Sequence, residues 1–193
     1  METGREFQKF KIAIRATAVA AFVLVSAFGA EAKNPMVGGA PMFKTKNIIE
    51  NAMKSKDHTT LVAAVKAAGL VETLQGKGPF TVFAPTNEAF AALPAGTVDT
   101  LLKPENHDKL VKVLTCHVVA ADAMSKMISQ MIKDDGGMHK ITTVGGCVLT
   151  AMKKGKTIML KDEMGDIATV TIADVKQSNG VIHVIDHVLL PKA

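Results

Sequence analysis

Apolar positions recur at helical spacing through the first part of the chain and at alternating spacing through the last third. Ile48, Ile49, Ala52 and Met53 share one side of a helix predicted over residues 47–55. Leu61, Val62, Val65 and Ala68 mark the next helix, with Asp57 placed to cap its start and Gly69 to stop it. A short turn continues through Leu74. Gly76, Lys77, Gly78 and Pro79 break the chain, after which Phe80, Thr81, Val82, Phe83 and Ala84 read as a strand. Its apolar residues fall on both sides of the alternation, which suits burial of both faces. Pro85 ends it, and Thr86 is placed to cap a helix over 87–93 that lays Phe90 back on the core. After Pro94, Ala95 and Gly96, Thr97 caps a turn through Leu102. Pro104 opens a longer helix with Leu110, Val111, Val113 and Leu114 inward, and Asp122 is placed to cap a helix over 123–133. Short β-rich runs follow at 140–144, 147–152, 157–161, 167–174 and 181–189, separated by hairpin-type links. Helices first and strands last predict an α+β fold, a helical N-terminal part packed on C-terminal strands.

Residues 1–32 stand apart from this pattern. Lys9, Lys11 and Arg15 precede an apolar run over 16–28, and Ala30, Glu31 and Ala32 follow it. The run is short of the ~20 apolar residues a membrane span takes. A basic head, a short apolar middle and small residues at the exit read as a secretory signal peptide; an uncleaved anchor is the alternative. Cleavage after Ala32 leaves one domain-sized chain, exported to the periplasm or beyond the cell. Residues 33–46, with Pro35, Gly38, Gly39 and Pro41, read as a linker ahead of a domain over 47–191.

Composition then narrows the function. Beyond residue 32 there are 19 basic and 15 acidic residues, net +4, and no Arg, Trp or Tyr. Arg supplies the bidentate fork for phosphates and base edges, and aromatic rings supply the stacking platform for single strands. With no Arg and only Phe43, Phe80, Phe83 and Phe90 as aromatic rings besides His, the basic chain is not expected to bind nucleic acid.

Two segments carry a resemblance. Thr81-Val82-Phe83-Ala84-Pro85-Thr86-Asn87-Glu88-Ala89-Phe90 resembles the first signature of fasciclin domains. Asn179-Gly180-Val181-Ile182-His183-Val184-Ile185-Asp186-His187-Val188-Leu189-Leu190-Pro191 resembles the second. Between them, Leu114-Thr115-Cys116-His117-Val118-Val119 is similar to the family's central Tyr-His segment, with Cys116 in place of the Tyr. The resemblance implies a fasciclin-like fold with a twisted β-wedge and a helical flank. It also implies adhesion or protein–protein interaction at the cell surface rather than catalysis, with a protein or surface glycan as partner and no cofactor. His117, Val118 and Val119 become candidate partner contacts by the same route. The two signatures are expected to pair inside one core.

The remaining candidates come from residue chemistry. Cys116 and Cys147 are the only cysteines, and an even count in an exported chain favours a disulfide over two buried thiols. His183 and Asp186 sit in an apolar run, where buried polar groups need hydrogen-bond partners. Met124, Met127 and Met131 recur at helical spacing, with Met138 and His139 following. Thioether and imidazole ligands suit copper, so a periplasmic copper or redox-linked binder is the alternative function. The plainer reading of the methionines is core filling. Asp162 and Glu163 read as a solvated polar turn, and no catalytic set converges.

Overall fold

The strand read at residues 80–84 has apolar side chains on both faces, so it needs cover on both sides. The computed structural model, which describes residues 34–192, puts it inside the sheet, second from one edge. A hairpin of β1 (Met36–Val37) and β2 (Ala40–Pro41) comes first. Helices α1 (Ile48–Ala52), α2 (Thr59–Ala67) and α3 (Val71–Gln75) follow. Strand β3 (Phe80–Pro85) leads to α4 (Asn87–Ala91), α5 (Thr97–Leu101) and α6 (His107–Thr115). Strand β4 (Val118–Val119) precedes α7 (Ser125–Asp134). The chain ends in β5 (Met138–Thr142), β6 (Val148–Lys154), β7 (Thr157–Lys161), β8 (Ile167–Gln177) and β9 (Gly180–Ile185).

The seven-stranded sheet has the order β4-β3-β9-β8-β7-β6-β5. Strands β3 and β9 run parallel, in register from Phe80 opposite Gly180 to Pro85 opposite Ile185. The other pairs are antiparallel. Strand β8 pairs with β7 through its first residues and with β9 through the rest, with two register shifts between Val170 and Val175. Such bulges bend a strand and raise its twist. Asp174 lies at the second shift with φ of 60°.

Two apolar cores lie on opposite faces of the central pair. Val82, Ala84, Ile182 and Val184 pack with Leu61, Val65, Phe90, Leu110 and Leu114 beneath the helices. Phe83 and Ile185 turn the other way, toward Ile128 and Ile132 of α7 and Leu149, Ala151, Ile158 and Leu160 of β6 and β7.

The helix starts show where local reading stops. Asn47 caps α1 through a capping box with Glu50, and the Thr86 hydroxyl accepts from the Ala89 N–H. Asp57 does not cap α2. It lies in a 3₁₀ turn (Lys56–His58), and Asn87 Oδ1 instead accepts from the Thr60 N–H at 3.0 Å. Asp122 does not cap α7, whose Ser125 N–H donates to Asp174 at 2.7 Å. Both caps come from residues distant in the chain, which spacing cannot show.

Residues 33–46 are not a free linker where the structure describes them. Val37 and Met42 are buried in the first core. Phe43 donates its N–H to Asn51 Oδ1 and accepts from Asn51 Nδ2, and Asn51 also bonds Gln177. Ser178 N–H donates to the Lys46 carbonyl at 2.8 Å. Two buried apolar anchors and these bonds fix the segment against β8. The expected signal peptide lies outside the described residues.

Asn179 and Gly180 close the centre. Asn179 accepts from the Ile48 N–H at 3.0 Å and donates to the Leu74 and Gly76 carbonyls. A Cβ on Gly180 would run into the Phe80 carbonyl oxygen on the facing strand. Gly180→Ala is therefore expected to lower stability by about 2–3 kcal/mol through overpacking. Urea unfolding of the variant against the parent chain checks it; an unchanged midpoint would mean that the strands separate there at no cost.

Candidate interaction surface

The central segment was expected to present His117, Val118 and Val119 to a partner. Instead it is interior. Cys116 is the C-cap of α6 and not part of an extended run, His117 is 2% exposed, and Val118 belongs to the first core. Val119 is partly buried against the second. His117 Nδ1–H donates to the Val113 carbonyl at 2.8 Å, and Nε2 accepts from the Leu189 N–H at 2.9 Å. Both ring nitrogens are used by a neutral imidazole, and full burial pushes its pKa down to about 4.

His183 is also neutral and enclosed, stacked against Phe83. Its Nε2–H donates to the Ala123 carbonyl at 2.8 Å, and Nδ1 accepts from the Asp174 N–H. Burial lowers its pKa. Thr81 works beside it: its hydroxyl donates to the Ala121 carbonyl and accepts from the Ala123 N–H. Asp186 is not inside a strand, because β9 ends at Ile185. It accepts from the Thr169 N–H and from His187. Partial burial works to raise its pKa, but these hydrogen bonds outweigh that and hold it below the usual carboxylate value.

Cys116 and Cys147 stand at disulfide distance, Cα atoms 5.3 Å apart. The pair ties the end of α6 to the start of β6. Around it, Gly145 N–H donates to the Thr115 carbonyl and Val144 N–H to that of Val118.

What His117 holds is the edge of a groove. Its bond to Leu189 is the first of three that fix the C-terminal segment. Asp162, which is buried rather than solvated, accepts from the Leu190 N–H at 2.8 Å. Glu163 accepts from the Lys192 and Val148 N–H groups, and these bonds hold its pKa below the usual value. The segment so fixed forms one lip of a mostly apolar groove of about 680 Å³. Leu101 of α5 and Val113 of α6 line it with Leu190 and Pro191. Lys109, Lys192, Asp108 and the exposed Met164 stand around it.

The methionines suggested for copper lie in different settings. Ile128 and Ile132, not the methionines, form the inward face of α7. Met127 is 51% exposed, Met131 packs at the margin of the second core, and Met124 precedes the helix. Core filling does not describe Met127 or Met138 either. Met138 and His139 leave β5 on opposite faces, and His139 Nδ1 bonds the Asp135 carboxylate at 2.7 Å. Among the described residues no group of three or more His, Cys, Asp or Glu side chains could hold a metal ion.

The β3–β9 pair joins the two resembling segments residue against residue, and the comparisons decide the family. Residues 56–191 match the model of the Fasciclin domain. The chain belongs to the fasciclin domain family. Protein sll1483 of Synechocystis sp. is 49% identical over 160 residues, covering 82% of this chain and 81% of that protein. The cell surface glycolipoprotein MPB83 of Mycobacterium bovis is 32% identical over 168 residues, covering 84% and 69%. A FAS1 domain pair from the insect cell adhesion molecule fasciclin I shares the fold, with TM-score 0.59 and 18% identity over 75% of this chain and 51% of that one. Fasciclin domains are in general non-catalytic and linked to cell adhesion and protein interaction. No helix among the described residues is long and apolar enough to cross a membrane.

The lowered pKa values of the buried His117 and His183 predict that this fasciclin domain loses stability in acid. A folded-state pKa below the unfolded value of about 6.5 gives stability that is full above that pH and lost as pH falls. For His117 the loss runs from about pH 6.5 to about 4 and reaches roughly 3 kcal/mol. Urea midpoints between pH 7 and 4 should fall, and His117→Gln should flatten the fall; an equal slope in both proteins would remove His117 as its source. Reduction is the second test. Opening a link between residues 31 apart should cost about 3–4 kcal/mol on the chain-entropy model. Thermal melts with and without reductant measure it.

Proposed function

We propose that this fasciclin domain is an exported interaction module, periplasmic or extracellular, that docks a protein partner in the groove between α5, α6 and residues 190–192. Residues 1–32 act as the export leader in this reading, and a relative named a cell surface glycolipoprotein supports it. One observation carries the choice of site: His117 after α6 and the adjacent pair Asp162 and Glu163 after β7 hold the groove lip through the Leu189, Leu190 and Lys192 N–H groups. A groove fixed before binding loses little freedom on binding. Its apolar lining and the ammonium groups of Lys109 and Lys192 fit a segment with an apolar side chain beside a carboxylate. His117 then serves the partner without touching it, by placing Leu189.

The test is adhesion of the purified domain to the surface or secreted matrix of its producing cells. Lys109→Glu with Met164→Glu changes exposed groove residues and should weaken binding about tenfold or more while leaving the melting temperature unchanged. Undiminished binding would show that the partner sits elsewhere.

A further inference from the structure

The outward face of the C-terminal meander carries side chains that neither core nor groove uses. Strand register sets Met138 directly opposite Met152, and Met152 directly opposite Met159. Three methionines thus form one row across β5, β6 and β7. Their chain neighbours Ala151, Ile158 and Leu160 are buried against the other face, so the row points away from α7. Met138 is 61% exposed on the edge strand, while Met152 and Met159 are partly buried.

The spacing allows the sulfurs to meet. Facing residues have Cβ atoms about 5 Å apart, and the outer strands lie about 10 Å apart. Each methionine is unbranched with rotatable bonds to its sulfur, so the outer two can lean over the middle strand. The surroundings restrict what such a trio can hold. Strands β5, β6 and β7 contain no Asp or Glu, and the row is flanked by Lys140, Lys154 and Lys161. Hard divalent ions want oxygen ligands, and three ammonium groups repel a double charge more than a single one. Neutral thioethers select a soft ion.

We propose that Met138, Met152 and Met159 form a site for one soft monovalent cation, Cu(I). This is a different set from the helical methionines that the sequence suggested, and it is independent of the groove.

The experiment titrates the purified protein with Ag(I), a redox-inert stand-in, and anaerobically with Cu(I) against a chromogenic Cu(I) chelator. Methionine methyl groups carrying ¹³C report which sulfurs respond. Expected are a single equivalent bound and shifts confined to Met138, Met152 and Met159. Met152→Leu, a volume-conserving change, should lower affinity about tenfold or more, with circular dichroism unchanged. Met127→Leu should leave binding as it was. No uptake of either ion overturns the proposal. So do shifts centred on Met124, Met127 and Met131, or full affinity in Met152→Leu.

Discussion

The parallel contact of β3 with β9 is the constraint from which the rest of the structure follows. It brings together segments 100 positions apart, Phe80 against Gly180, and buries both faces of each strand. Val82 and Ile182 feed the core under the helices, and Phe83 and Ile185 feed the core under α7. The two cores therefore share one wall. Close approach at the top of the pair demands a residue without a Cβ at position 180. The neighbouring Asn179 uses the same corner to hold α1 and the end of α3.

Polar groups inside this frame act as ties between elements that apolar packing alone would leave free to slide. His117 and His183 each join two backbone segments, and each does so only as a neutral ring. Thr81 holds the turn before α7, and Asp162 holds both its own turn and residue 190. A buried group with every bond made rigidifies its surroundings. That rigidity reaches the surface at the groove lip, where no side chain involved in the ties has to meet a ligand.

Element types were legible in the sequence wherever period and local chemistry agreed. Strand β3, the Thr86 cap, Gly69 after α2 and the hairpins of the meander all follow from residues within a few positions of each other. What escaped depends on distance. Asn87 and Asp174 cap helices far from them in the chain, and nothing at Asp57 or Asp122 could reveal that a remote acceptor takes those amides. The β1–β2 segment has too few apolar residues to show a period, yet Val37 and Met42 suffice to anchor it. The site was less legible than the fold. The stretch around His117 carries part of the resemblance, but only the fold shows that it lies beneath the surface. The methionine row was hidden for the same reason: Met138, Met152 and Met159 lie on three separate strands, and strand register alone makes them neighbours.

The placement of β9 has a consequence for when the molecule can fold. An interior place in the sheet, between β3 and β8, is filled by residues 180–185, after every other strand has been made. Until that stretch is available, β3 lacks its parallel partner and both cores lack a wall. Such a non-local contact is slow to form and cannot be completed early. A chain still on the ribosome, with residues 180–185 not yet made, is thereby kept open, and its tertiary structure closes only once synthesis has passed them.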